Sequence, residues 1–381
     1  MLASRCCRHR LHAKQLRRAF SGVCANVCEA IGNTPLVQLN RVVGEGAKAK
    51  RVLAKLEMQN PGGSVKDRIA LGMVEAAERS GALRPGMTIV EATSGNTGIG
   101  LAMVAAAKGY KCIIIMPQMP PMMERYTICR KFGAEVHLTA GAAGAPMAEN
   151  MFDHLRHLLA ENPDYWSPMQ FENDANPQVH VATTGPEIWS QTGGEVDYFV
   201  AGAGTGGTMV GAGVFLKEKN PDLVNVIVEP AESRVLAGEP SDKHTVVGIG
   251  AGVPLKFVEG LEPGAPWADG PRGAVSEFAS CSSGDAVTWA NRLAREEGLL
   301  VGPSTGAACK VAVELAHRDE AADKTVVVVF PSSAVRYMTH PLWAAEQQEG
   351  TEILGGPPDF TNEPPLLRWR SSDYAPPPPP G

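Results

Sequence analysis

The chain has 381 residues and a formal charge of −6, with 44% hydrophobic and 20% charged residues. That length allows one large or two medium domains whose core is stable without disulfide staples. The acidic balance gives no reason to expect nucleic acid as a partner, and no apolar run reaches the ~18–20 residues of a membrane span.

The first 22 residues carry Arg5, Arg8, Arg10, Lys14, Arg17 and Arg18 and no acid before Glu29. With Arg17-Arg18-Ala19-Phe20-Ser21 as a processing site, residues 1–22 read as a transit peptide for a mitochondrion or plastid. A basic tail that stays on, with a cytoplasmic protein, is the alternative. Ile31–Val37 is a turn leading into a strand, and Arg51–Leu56 is a second strand. Lys66–Ser80 has helical spacing, with Ile69, Met73 and Ala76-Ala77 on one face, Ser64 as N-cap and Gly81 as terminator. Strands follow at Thr88–Glu91, Cys112–Met116, Glu135–Leu138, Tyr198–Ala201, Val224–Val228 and Thr325–Phe330. Helices are expected at Asn96–Lys108, Glu124–Phe132, Thr208–Lys219, Ala286–Glu297 and Ala307–Ala316.

Strands alternating with helices imply an α/β fold with mostly parallel sheets flanked by helices. The pattern occurs twice, before and after about residue 170. Two domains are therefore expected, a smaller one at 23–170 and a larger one at 171–345, with a cleft between them. The first strands, near 31–58, could cross into the other sheet. From 346 to 381 the chain is rich in proline, ends in Pro376–Pro380 and is expected to stay extended. The eight cysteines are scattered, with no CxxC pair and no Cys/His spacing for zinc, so reduced thiols and no metal site are expected.

Four segments carry chemistry. Lys66 follows the Gly-rich turn Asn60-Pro61-Gly62-Gly63 at a helix start, where the dipole and burial both favour a neutral amine able to form a Schiff base. Read alone, it is also an ordinary surface lysine in a capped helix. Thr93-Ser94-Gly95-Asn96-Thr97-Gly98 gathers hydroxyls, an amide and backbone N–H groups between a strand and a helix, which suits a carboxylate. Gly202-Ala203-Gly204-Thr205-Gly206-Gly207-Thr208 lets a backbone approach a phosphate. The same loop matches G-x-G-x-x-G, with Glu229 ending the next strand, so a dinucleotide-dependent oxidoreductase stays open as a remote alternative. In Gly302-Pro303-Ser304-Thr305-Gly306, Ser304 either meets a heteroaromatic nitrogen or caps a helix.

In this order the four segments resemble the fold-type II pyridoxal-phosphate enzymes, whose fold is like that of the tryptophan synthase β chain. The likeness is to the cysteine synthase (O-acetylserine sulfhydrylase) and cystathionine β-synthase family. It runs from about Ile31 to Leu342 and includes Gln170–Asn173, Thr184–Trp189 and Gly248–Gly252. The resemblance implies pyridoxal 5′-phosphate bound to Lys66, which also acts as the general base. It implies that Asn96 bonds the ring hydroxyl, that Gly204, Thr205, Gly206, Gly207 and Thr208 cradle the phosphate, and that Ser304 faces the ring nitrogen. It assigns Thr93, Ser94, Thr97 and Gln170 to the substrate carboxylate. The expected reaction is β-replacement of the acetoxy group of O-acetyl-L-serine by sulfide, giving L-cysteine. Cystathionine β-synthase (serine plus homocysteine) and β-cyanoalanine synthase are the alternatives on the same scaffold. A non-catalytic relative that binds serine acetyltransferase is another, although Lys66, Asn96 and Ser304 are intact. A homodimer, with serine acetyltransferase as a further partner, is what the family would suggest.

Two departures from the family stand out. Ala92 replaces a usual proline, and Pro121-Met122-Met123-Glu124-Arg125 replaces a Met-Ser-x-Glu-Arg stretch, exchanging a hydroxyl for apolar bulk.

Overall fold

The computed structural model describes residues 23–118, 122–139, 147–259 and 275–354. The expected transit peptide lies outside them, as do Pro121 and the proline run at the C-terminus.

The chain begins with β1 (Leu36–Leu39), β2 (Arg51–Leu56), α1 (Lys66–Ser80), β3 (Thr88–Ala92), α2 (Asn96–Lys108) and β4 (Lys111–Pro117). It continues through α3 (Met123–Lys131), β5 (Glu135–Thr139), α4 (Met147–Glu161), β6 (Tyr165–Trp166), α5 (Ala175–Val179) and α6 (Gly185–Gln191). Then come β7 (Tyr198–Gly202), α7 (Gly207–Lys219), β8 (Val224–Pro230), α8 (Lys256–Glu259), β9 (Glu277–Cys281) and α9 (Ser283–Arg292). The last elements are α10 (Pro303–Ala316), β10 (Thr325–Phe330) and α11 (Ala344–Leu354).

Two sheets result. The four-stranded sheet has the order β5-β4-β3-β6 and is parallel throughout. The six-stranded sheet has the order β1-β2-β10-β7-β8-β9. Only its edge pair β1–β2 is antiparallel, in the register Leu36↔Lys55 to Leu39↔Val52. Strands β1 and β2 thus join the sheet built mainly from the second half of the chain. Both sheets belong to one compact unit that runs to Thr339. A parallel sheet covered on both faces needs strands that are apolar on both sides. β10 supplies Thr-Val-Val-Val-Val-Phe, every residue buried, and β3 is buried over its whole length as well.

The helices follow from their sequences. α1 buries the stripe Ile69, Ala70, Met73, Val74 and Ala77 and stops where Gly81 turns left-handed at φ 78°. It starts one residue later than a Ser64 cap implies. Val65 takes the cap position, and Ser64 Oγ accepts the Lys66 N–H at 3.2 Å. α9 starts at Ser283, earlier than the expected Ala286, because Ser282 caps it by accepting the Asp285 N–H at 3.1 Å. Its end, Leu293–Glu297, widens into a π turn. α4 was not anticipated, although Met151, Leu155, Leu158 and Leu159 pack at helical spacing onto Val90, Ala92, Ile113 and Ile115. The edge strand β9 also went unread, since its burial is partial and gives no clean alternation.

From His340 onward the chain forms a second, small unit. There His340 Nδ1 accepts the Leu342 N–H at 3.0 Å. Helix α11 follows, so 346–354, expected to lie in the extended tail, is helical. No helix among the described residues is long and apolar enough to cross a membrane. The described cysteines, Cys24, Cys28, Cys112, Cys129, Cys281 and Cys309, are free thiols.

Candidate active site

In an open parallel sheet, polar loops gather beyond the carboxyl ends of the strands, where helix N-termini also point. Both sheets here use that end. Lys66 comes after β2, Thr93–Thr97 after β3, Gln170 after β6, Gly204–Thr208 after β7, and Pro331–Ser332 after β10. They border one cleft with a cavity volume of about 250 Å³, room for a small ligand. Lys66, Thr93, Ser94, Asn96, Thr97, Gln170, Gly204, Thr205 and Ser304 all reach its wall. Gly206 and Thr208 line a recess that shares Lys66. Gly207 lies behind the wall, and its N–H donates to Thr205 Oγ1 at 3.3 Å.

Lys66 is the first residue of α1 and reaches the cleft. Burial pushes its ammonium down to about 8, which raises the neutral share of the amine to roughly a tenth at pH 7. The amine also sits close to the glycine loop. A Cβ placed on Gly204 would be 3.7 Å from Lys66 Nζ and only 2.7 Å from the Gly248 carbonyl oxygen. A side chain at that position would fill the space in front of the amine.

The turn after β3 is organised around Gln170. Thr97 Oγ1 donates to Gln170 Oε1 at 2.6 Å, and Gln170 Nε2 approaches Thr93 Oγ1 at 3.5 Å. Thr93 Oγ1 also accepts the Gly95 N–H at 3.3 Å. Its own hydroxyl proton is therefore left to donate, whereas the Thr97 proton is committed to Gln170 in this state. Glu91 holds the Gln170 segment. Its buried carboxylate accepts the N–H of Gln170 at 3.1 Å, the N–H of Met169 at 3.0 Å and the Ser167 hydroxyl at 2.9 Å. Burial raises the Glu91 pKa against these three donors. Sequence reading missed Glu91, although an acid closing an otherwise apolar strand was a visible signal.

The glycine loop opens the 13-residue α7. Gly206 adopts φ 84°, a left-handed conformation that a side chain would strain. Thr205 Oγ1 accepts from Asn176 Nδ2 at 3.0 Å as well as from Gly207, which leaves its proton to donate into the cleft. Thr208 Oγ1 pairs with His180 Nε2 at 3.2 Å, and His180 Nδ1 pairs with Thr184 Oγ1 at 2.8 Å. Burial drives the His180 imidazole down to about 3, so it stays neutral. Asn176 and His180, on α5 and the π turn that follows it, carried no sequence signal. They are brought to the loop by tertiary packing alone. Glu229, which a dinucleotide site would turn to a ribose, is buried and accepts the N–H groups of Leu236 and Ala237 at 2.8 and 3.2 Å. Gly207→Ala tests the packing here, because a Cβ would sit 2.0 Å from Asn176 Oδ1. The substitution is expected to cost about 1–3 kcal/mol in thermal unfolding. An unchanged melting temperature would contradict the described packing.

Asn96 opens α2 on the facing wall. Its Nδ2 donates to Tyr337 Oη at 3.0 Å, while Oδ1 is buried with no hydrogen-bond partner. Ser304 is the second residue of α10, and the cap position belongs to Gly302. Its hydroxyl is buried at the cleft beside Gly248. The arrangement is suited to a flat phosphorylated aldehyde. It offers an amine of lowered basicity, a glycine-rich helix start of the kind that suits an anion, and an acceptor left without a donor.

Comparison with known proteins agrees with the geometry. Residues 27–332 match the family model described as "Pyridoxal-phosphate dependent enzyme". A cysteine synthase of Staphylococcus aureus is 44% identical over 320 residues, covering 84% of this chain and 97% of that protein. The crystal structure of O-acetyl serine sulfhydrylase isoform 3 from Entamoeba histolytica aligns with a TM-score of 0.78 at 36% identity, over 86% of this chain and 94% of that one. An O-acetylserine dependent cystathionine β-synthase from Helicobacter pylori aligns with a TM-score of 0.75 at 33% identity, over 84% and 99% of the two chains. A buried lysine beside a glycine loop is thus found within a match that spans most of the chain, and the protein belongs to the pyridoxal-phosphate dependent enzyme family.

Proposed function

We propose that this chain is a cysteine synthase, replacing the acetoxy group of O-acetyl-L-serine by sulfide to give L-cysteine and acetate. The observation that carries the reading is Lys66. Its amine is lowered to about 8 by burial, between a hydroxyl-rich turn and a glycine loop. The 44% identity to a cysteine synthase over nearly that protein's whole length supports this reaction over others of the family.

Pyridoxal phosphate, when bound, supplies an electron-withdrawing ring that acidifies the α-proton of an amino acid and lets a β-substituent depart. Gly204, Thr205, Gly206, Gly207 and Thr208 are assigned to its phosphate, with the free Thr205 proton as a donor. Asn96 is assigned to the ring hydroxyl and Ser304 to the ring nitrogen. A serine hydroxyl is neutral and holds the ring nitrogen protonated far less than a carboxylate does. Prompt loss of the leaving group is then favoured over a long-lived carbanion. Thr93, Ser94, Thr97 and Gln170 are assigned to the substrate carboxylate. Glu91 fixes that wall by gripping the backbone of Met169 and Gln170. With the cofactor bound, Lys66 would hold its aldehyde, and the free Lys66 amine would take the proton from substrate Cα as general base.

A product assay tests the reading. Purified enzyme with O-acetylserine and sulfide is expected to form cysteine at least about tenfold faster than serine and homocysteine form cystathionine, a discrimination of the size one pocket contact supplies. The reverse ranking would replace the proposal with the cystathionine reaction.

A further inference from the structure

We propose that Tyr337 is a positioning residue whose phenol anchors the carboxamide of Asn96 and so sets where that amide meets the cofactor ring. The inference rests on the assignment of Asn96 to the ring hydroxyl and goes beyond it.

Tyr337 is held on every side. Its hydroxyl receives the Asn96 Nδ2–H at 3.0 Å and shares a second hydrogen bond with Ser332 Oγ at 2.8 Å. The guanidinium of Arg125 lies over its ring, 5.0 Å from the centroid. Gly302 leaves room for the other edge, since a Cβ there would come within 2.6 Å of Tyr337 Cε2. Tyr337 and Ser332 are 2% and 1% exposed, so water does not compete for these bonds. A carboxamide has two N–H donors and one acceptor oxygen. The bond to the phenol anchors the amide in place; because the Tyr337 and Ser332 hydroxyls can each donate or accept, it fixes where the amide sits rather than which end faces outward. Oδ1 is buried and without a partner, and one N–H remains uncommitted. Without the phenol the amide loses this anchor and can swing away from the place assigned to the ring hydroxyl.

The test uses holoenzyme and apoenzyme of wild type, Tyr337→Phe, Asn96→Ala and the double variant. Visible absorption spectra at fixed pH and dissociation constants for pyridoxal phosphate are measured on each. Tyr337→Phe is expected to weaken cofactor binding about fivefold, the worth of roughly one hydrogen bond, and to change the ratio of the visible bands. In the Asn96→Ala background it is expected to change neither. Circular dichroism melts identify any variant that fails to fold. In that event Ser332→Ala, which removes only the second support of the phenol, is expected to shift the bands in the same direction. Tyr337→Phe effects of equal size with and without Asn96 would overturn the inference, as would an unchanged spectrum and affinity in Tyr337→Phe. If Asn96→Ala itself leaves spectrum and affinity untouched, the assignment of Asn96 falls and the inference falls with it. If Asn96→Ala shifts them and Tyr337→Phe does not, only the inference falls.

Discussion

Lys66→Ala is expected to abolish the visible absorption of the cofactor-loaded protein and to lower turnover by about 10³-fold or more, the scale of losing a positioned general base together with covalent attachment. The folded state should tolerate the change. Lys66 lines the cleft, and its lowered amine pKa comes from burial alone, with no ion pair to break. Thermal unfolding of the apoenzyme should therefore stay close to that of wild type, separating lost chemistry from lost folding. Borohydride treatment of the wild-type holoenzyme should trap the cofactor on a peptide containing Lys66, and the alanine variant should yield no such adduct. Because the free amine titrates at about 8, uptake of cofactor by wild-type apoenzyme is expected to speed up as pH rises through that value. A variant that keeps its band, or an adduct on a different lysine, would mean that the cleft is built around the wrong residue.

Arg68→Leu is expected to cost about 3–5 kcal/mol of stability, because it leaves buried carboxylates without their cation. Arg68 and Glu57 are 1% and 0% exposed. The guanidinium donates from Nε to Glu57 Oε2 at 2.7 Å and from Nη2 to Glu57 Oε1 at 2.8 Å. It also reaches both oxygens of Glu187 at 2.7 Å. Lys55 shares Glu187 at 2.7 Å, and Thr34 donates to Glu57 at 2.6 Å. The network ties α1, which begins with Lys66, to β2 and α6. Burial alone would raise the Glu57 pKa, but the Arg68 cation outweighs it and holds the group at about 2. A depressed carboxylate contributes stability that is complete above its usual value and is lost as pH falls through the folded one. Acid unfolding of wild type should therefore steepen between about 4.5 and 2, and Arg68→Leu should lose that component. The exposed pair Arg156–Asp153 gives the control, since Asp153→Ala should change stability by less than about 1 kcal/mol. Urea unfolding that finds the two substitutions equal would show that the buried network is not held by its charges.

Much of this was legible in the chain before any coordinates. Parallel strands advertise themselves when both faces are covered, since most positions must then be apolar, as in Thr325–Phe330 and, but for Glu91, in Thr88–Ala92. Glycine loops show equally well, because few residues allow a backbone to come so near a ligand. Gly204, Gly206 and Gly207 were found that way, and Cβ contacts of 2.0–2.8 Å with Gly248, Val258 and Asn176 show that the fold's own packing also excludes side chains there. Lys66 was legible only in combination with the Thr93–Gly98 turn, because each segment alone also fits an ordinary helix start. Two elements escaped for different reasons: α4 despite a readable amphipathic face, and β9 because it is a partly exposed edge with no clean alternation.

Sequence by itself determined the α/β class, the positions of most strands and helices, and the segments that would supply the chemistry. These depend on local periodicity and on backbone sterics, which neighbours along the chain already specify. Tertiary structure alone decided that β1 and β2 cross to the six-stranded sheet, that Asn176 and His180 brace the glycine loop, that Glu91 grips Gln170, and that Tyr337 meets Asn96 from 241 positions away. A hydrogen bond between distant segments leaves no periodic trace, and its partners are selected only when the sheets close and water is excluded from between them.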